Sequence, residues 1–167
     1  MGSVDYSLGE MDIVKEEKLL KAIKGASNDH FKLIVISGRF KTGKTSLMKR
    51  IANDFNYMYL NLNLIMSKRL LQIKEEAYVT QSQDIIKGIF DEIDDKILFV
   101  DNIELLFSKE VASLNPVEVF KNLARDKVII LSLPGRVKGD RIEYSTIDRN
   151  DYKLMDVFGL TVINMEE

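Results

Sequence analysis

Residues 31–45 read Phe31-Lys32-Leu33-Ile34-Val35-Ile36-Ser37-Gly38-Arg39-Phe40-Lys41-Thr42-Gly43-Lys44-Thr45, and two patterns meet in them. The first seven, FKLIVIS, form a short, almost wholly apolar and β-branched run closed by glycine. Such a run predicts a strand buried on both faces, as in a parallel sheet. The next eight match G-x-x-x-x-G-K-[ST], and residues 44–56 predict a helix. Strand, glycine-bearing loop, helix: this order decides the fold class.

Working outward, residues 57–63 (YMYLNLN) alternate as a second strand, 96–100 (KILFV) form a third ending at Asp101, 127–133 (KVIILSL) a fourth and 160–164 (LTVIN) a fifth. Helices are predicted over 11–27, 64–76, 82–93, from Ile103, and from Pro116 to about Arg125. Strands alternating with helices give right-handed crossovers, hence a three-layer α/β/α fold on a mainly parallel five-stranded sheet. With two prolines in 167 residues and no repeat, residues 11–167 read as one domain behind a loose, polar segment 1–10.

Ligands of such sheets bind beyond the carboxyl ends of the strands, and Gly38, Asp101 and Ser132 all fall there. In the loop itself, Gly38 and Gly43 permit backbone angles closed to other residues. Successive N–H groups across Arg39, Phe40, Lys41, Thr42 and Gly43, on to Ser46, can then converge on an anion at a helix N-terminus. Lys44 supplies a flexible point charge for β- and γ-phosphates, and the Thr45 hydroxyl is a ligand for Mg²⁺. Arg39 and Lys41 add positive charge. A nucleoside triphosphate with Mg²⁺ is the implied cofactor.

Such sites need a second acidic residue at the tip of an apolar strand to hold magnesium through its water shell, and Asp101 supplies it. Many ATPases of this class carry Glu directly after that Asp; here the neighbour is Asn102. An amide orients a water but cannot take its proton. Asn102 serves equally well as the N-cap of a helix from Ile103. Glu104 is the nearest carboxylate that could substitute, or a first-turn residue favoured by the helix dipole. Ser132 stands where a small polar residue senses the γ-phosphate, and equally where an ordinary strand-end hydroxyl would. Among Arg136, Arg141 and Arg149, one could serve as an arginine finger, although solvated surface arginines are the simpler reading of each. The expected chemistry is tight nucleotide binding with slow intrinsic hydrolysis.

The remaining signals are bland. The single His30 has no partners for catalysis, Asp91-Glu92 with Asp94-Asp95 reads as a solvated helix end, and Tyr57 and Tyr59 read as packing residues. Without cysteine, disulfides and thiolate metal sites are excluded, and a net charge of −2 gives no global field to recruit nucleic acid, leaving direct DNA binding to a local basic face. No apolar run nears the roughly 20 residues that span a bilayer, and the N-terminal residues lack signal-peptide order, so a cytoplasmic protein is expected.

Residues 128–136 (VIILSLPGR) carry no Asn-Lys-x-Asp base-reading motif of small GTPases, and neither the Asp-Arg pair nor the Arg-rich lid of nucleotide kinases is evident. The layout of the Gly38–Thr45 loop, Asp101-Asn102-Ile103-Glu104 and Ser132 resembles AAA+ ATPases. The helical lid that normally follows the fifth strand is not expected in a sequence ending at Glu167. GRFKTGKTS at 38–46, YLNLNLIMSKRLL at 59–71 and ILFVDNIELLF at 97–107 resemble the small P-loop ATPases of type III BREX phage-defence systems, the BrxF family, over nearly the whole chain from Met11. That resemblance implies ATP as the nucleotide, other BREX components including a larger ATPase as partners, and a homo-oligomer as an open possibility. Three readings compete: a nucleotide-dependent switch or ATPase subunit, a nucleotide or small-molecule kinase, and a non-catalytic ATP-binding scaffold. The first is preferred.

Overall fold

Alternation along the strands decides which helices cover which face. In the computed structural model, which describes residues 3–111 and 114–167, the chain runs α1 (Ser3–Gly25), β1 (Leu33–Gly38), α2 (Lys44–Phe55), β2 (Met58–Asn61), α3 (Leu62–Leu70), α4 (Tyr78–Asp91), β3 (Ile97–Asp101), α5 (Pro116–Leu123), β4 (Val128–Pro134), β5 (Arg136–Lys138), β6 (Arg141–Tyr144), β7 (Lys153–Asp156) and β8 (Thr161–Asn164). Five strands pair in parallel in the order β2-β3-β4-β1-β8.

Leu33 and Val35 of β1, Leu98 and Val100 of β3, and Ile129 and Leu131 of β4 share one core with α3, α4 and α5. Their neighbours Ile34, Ile36, Phe99 and Ile130 share the other with α1 and α2. The result is the expected three-layer α/β fold. Each fully buried Ile, Leu, Val or Phe contributes about 1.5–3 kcal/mol over an exposed one, which is why these two-sided apolar runs take the sheet centre.

Local chemistry sets the helix starts. Asn61 Oδ1 accepts from Leu64 N at 3.2 Å, so α3 begins two residues before its expected start. Asn115 Oδ1 accepts from Val117 N at 3.1 Å and Pro116 occupies the first turn of α5. The backbone of α1 begins at Ser3, inside the segment expected to be loose; Met1 and Gly2 lie outside the described residues.

Two expectations are corrected. After Asp101 there is no α-helix from Ile103, only 3-10 turns over Glu104–Phe107 and Lys109–Val111. Asn102 has φ +56, a left-handed conformation that Asn tolerates better than most residues and that turns the chain instead of capping a helix. Between β4 and β8 the sequence reading placed no strands, yet β5, β6 and β7 form an antiparallel sheet. Gly139-Asp140, with Gly139 at φ +60, is the two-residue link between β5 and β6, a hairpin signal present in the sequence. Ile142 and Met155 of this small sheet join the core on the α3–α5 side, and Tyr144 stacks on Phe107 with ring centroids 3.8 Å apart.

Candidate functional site

The loop between β1 and α2 is shaped by contacts as much as by dihedrals. Gly38 is still a strand residue, and its requirement is steric: a Cβ there would lie 2.4 Å from Thr42 Oγ1 and 3.1 Å from Met165 Cβ. The positive φ angles belong to Lys41 (+66) and Gly43 (+91), which turn the backbone ahead of the α2 N-terminus. Lys44 Nζ donates to the carbonyls of Gly38 and Arg39. Burial lowers its pKa, against the opposing pull of Asp101, Glu104 and Glu166.

Arg39 is engaged away from the loop centre. Its Nε donates to Glu166 Oε1 at 2.7 Å and its backbone N to Glu166 Oε2 at 3.1 Å. Met165 N donates to Ser37 O at 2.8 Å, and Lys15 of α1 donates to Met165 O at 2.7 Å. The residues after β8 thus brace the start of the loop, a contact the sequence does not announce. Phe40 at the loop tip is 87% exposed.

Across the loop, Asp101 ends β3 with 3% exposure. Thr45 Oγ1 donates to its Oδ2 at 2.7 Å, Tyr59 OH to the same oxygen at 2.6 Å, and Asn102 N to Oδ1 at 2.9 Å. Burial alone would push this carboxyl up. The hydrogen bonds from Thr45, Tyr59, Asn102 and Ser132 outweigh it and hold the pKa below the usual carboxylate value, so Asp101 stays charged. Ser132, 3% exposed, lies beside Asp101 through the β3–β4 register and serves it as a donor. Tyr59, read from sequence as packing, is polar in action; burial first and Asp101 second raise its phenol above its ordinary value. Tyr57 does pack, stacked between Phe55 and Phe99.

Asn63, in the first turn of α3, is a second site residue with no signal in the sequence. Its Nδ2 donates to Glu104 Oε2 at 3.0 Å, its Oδ1 accepts from Leu105 N at 3.0 Å, and its backbone N donates to Asn102 O at 2.8 Å. Of the two roles open to Asn102, the helix cap falls away with the helix, and Asn63 holds the first turn after Asn102 from α3 instead.

A cavity of about 250 Å³ is lined by the loop from Phe40 to Ser46 together with Asp101, Asn102, Glu104 and Ser132. The structure thus brings every residue expected to be catalytic to one site, while Gly38 does not line it and Arg39 lines the cavity next to it. A second cavity of about 430 Å³ adjoins it, sharing Phe40, Lys44 and Glu104, and is closed on its far side by Pro134–Arg136 and Glu143–Thr146 of the small sheet. Of the three candidate arginines, Arg136 lines this cavity; it pairs with Glu143 at 3.3 Å. Arg149 pairs with Asp151 at 3.1 Å beyond it. His30 meets Phe31 edge to face, and Glu92 of the acidic cluster pairs with Arg69.

Among the described residues, no three His, Cys, Asp or Glu side chains converge to hold a metal by themselves. A divalent ion here would take most of its ligands from phosphates and water, the habit of Mg²⁺, with Thr45 and the charged Asp101 as hard-oxygen partners. The residues fit that ion. Among the described residues, no helix is long and apolar enough to cross a membrane.

Comparison with curated proteins gives no match. Among solved structures, the chain is similar to one titled "Structure of C. elegans PCH-2", with a TM-score of 0.42 and 20% identity over 97% of this chain; it spans 41% of that one. Residues 34–130, from the second residue of β1 to the third of β4, match the ATPase family associated with various cellular activities (AAA), and over more than half of its length the chain therefore belongs to that family.

Proposed function

We propose that this AAA-family chain binds ATP with Mg²⁺ at the Gly38–Thr45 loop and hydrolyses it slowly by itself, acting as a nucleotide-dependent switch or ATPase subunit. The observation that carries this is the Thr45–Asp101 contact at 2.7 Å, in which a buried, charged carboxylate meets the first hydroxyl of α2. Triphosphate oxygens on the loop and magnesium between Thr45 and Asp101 would stabilise charge that builds on the transferred phosphoryl group. Lys44 would leave its own loop carbonyls for the phosphates, and Ser46 extends the ring of donors at the helix start.

Slow turnover follows from the water-activating position. Asn102 brings an amide, which cannot take a proton, so the base assigned here is Glu104, the carboxylate lining the same cavity. Its Oε2 already accepts from Asn63, and a base held this way must be released before it can serve. Such a device suits a switch that a partner triggers. The resemblance to small ATPases of BREX phage defence supports other defence components, including a larger ATPase, as those partners, and the cytoplasm as the place of action.

The test is phosphate release from ATP·Mg²⁺ together with light scattering, on wild type and Lys44→Ala. Expected are tight binding, release well below one per second, and a size change on adding nucleotide that Lys44→Ala abolishes. Rapid turnover by the isolated chain, with Asn102→Asp making no difference, would overturn the slow-switch reading. ATP consumption that depends on an acceptor would replace it with a kinase, and a folded Lys44→Ala protein that retains partner binding would weaken both the switch and the ATP-binding scaffold.

A further inference from the structure

Strands β2 and β3 pair in parallel with Tyr59 opposite Phe99 and Asn61 opposite Asp101. Tyr59 and Asp101 are thus diagonal neighbours on the face that α2 covers. Diagonal positions on adjacent strands lie about 7–8 Å apart, a span that long and aromatic side chains bridge. The phenol does so, and places its hydroxyl 2.6 Å from Asp101 Oδ2. That oxygen also receives the Thr45 hydroxyl at 2.7 Å, while Oδ1 receives Asn102 N at 2.9 Å. Donors from α2, from β2 and from the turn after β3 therefore fix the carboxylate in one rotation. The ring is itself held, half-buried, with Lys49 Nζ of α2 at 5.5 Å from its centroid.

We propose that Tyr59 is a positioning residue for magnesium: its hydroxyl fixes Asp101 Oδ2 beside Thr45 Oγ1, so that the carboxylate meets a nucleotide-bound ion without having to reorient. The proposal rests on the reading of Thr45 and Asp101 as the magnesium partners. Carboxylates around metals are themselves held by hydrogen bonds from further out, and loss of such a partner costs about 10–100-fold in metal affinity. Thr45 is committed to the ion, Asn102 offers only its backbone, and Ser132, which also donates to Asp101, lines the phosphate cavity; Tyr59 is the side-chain donor to Asp101 that stands outside that lining.

The experiment is a magnesium titration of fluorescent ATP-analogue binding to the full chain, for wild type, Tyr59→Phe and Asp101→Asn. Analogue affinity in EDTA and a thermal melt are measured beside it. Tyr59→Phe removes one oxygen and keeps the ring. Expected is a half-saturating Mg²⁺ concentration raised roughly tenfold or more in Tyr59→Phe, with affinity in EDTA and the melting temperature near wild type. An unchanged or lowered magnesium requirement overturns the proposal. So does an equal loss of affinity in EDTA, which would make Tyr59 a support of the loop and not of the ion. If Asp101→Asn shifts the titration and Tyr59→Phe does not, the Tyr59 assignment alone falls. If wild type binds the analogue with no dependence on Mg²⁺, the magnesium reading falls with it.

Discussion

Asn63 and Glu104 are joined side chain to side chain, Nδ2 to Oε2 at 3.0 Å, while the other end of the same amide holds the backbone of Leu105. One residue of α3 thus sets both the turn that follows β3 and the carboxylate that this turn carries into the phosphate cavity. Glu104→Gln, which keeps the shape and loses the base, is expected to lower phosphate release by about 10²-fold or more while ATP binding persists. Asn63→Ala should move release the other way, because Glu104 is freed, at a stability cost of about 1 kcal/mol for the lost backbone partner. Single-turnover release and a denaturant melt separate the two effects. Glu104→Gln with wild-type turnover would remove Glu104 from the chemistry.

Besides Ile142 and Met155, one aromatic contact ties the small sheet to the turn after β3. Phe107, 1% exposed, stacks on Tyr144 of β6 with rings 13° from parallel. Phe107→Ala is expected to cost about 3–5 kcal/mol, since the void lies between two packed layers. Phe107→Leu should cost less, because most of the apolar volume is retained. Urea unfolding followed by circular dichroism measures both. Phe107 shares its 3-10 turn with Glu104 of the phosphate cavity but does not line that cavity itself, so ATP binding by the Phe107→Leu protein, which keeps most of the volume under the turn, should stay near wild type.

Much of this was legible in the sequence, for reasons that differ by element. Strands β1, β3 and β4 are buried on both faces, so apolar composition alone marks them, and the Gly38–Thr45 motif carries its own mechanism. Asp101 could be assigned because strand and motif together fix where it ends. The partners of Asp101 and Glu104 could not. Tyr59 reaches Asp101 only through the β2–β3 register, and Asn63 reaches Glu104 across 41 residues of chain. Periodicity says which face a residue takes, not which neighbour it meets there. The helix expected from Ile103 failed at Asn102, whose left-handed backbone leaves no periodic trace. Strands β5–β7 are too short, at three or four residues each, to show a period, but their Gly139-Asp140 turn is a hairpin signal in the sequence.

Arg39 and Glu166 form a two-point contact that titrates. The Arg39 side-chain hydrogen bond, ahead of its charge, holds the Glu166 carboxyl below its ordinary value. A depressed carboxyl contributes its attachment above the unfolded pKa and loses it as pH falls through the folded one. The Glu166 side chain is therefore expected to stay on Arg39 at neutral pH and to let go only at a pH below the usual glutamate range, while Met165 N on Ser37 O keeps the chain beside the loop. Backbone amide shifts of Arg39 and Glu166 in an NMR acid titration would report this. Glu166→Gln should release Arg39 toward the phosphates and tighten ATP binding at neutral pH, more so at low salt because the effect is one of exposed charges.

The three arginines after β4 are not equivalent. Arg136 begins β5 and lines the cavity that shares Lys44 and Glu104 with the phosphate site, whereas Arg149 pairs with Asp151 in a separate loop and Arg141 projects from an exposed position on β6. Arg136 is tied to Glu143, which Lys138 also contacts at 3.0 Å. Lys138 can keep Glu143 neutralised if Arg136 swings toward the γ-phosphate, so the move leaves no carboxylate without a partner. Arg136→Ala is expected to lower phosphate release by about 10²-fold, the scale of losing one preorganised charge donor, with little change in ATP·Mg²⁺ affinity. Arg141→Ala and Arg149→Ala should leave release unchanged. Single-turnover hydrolysis at saturating ATP distinguishes them: equal, small effects of all three would mean that Arg136 belongs to the solvated surface, and that any catalytic arginine comes from a partner.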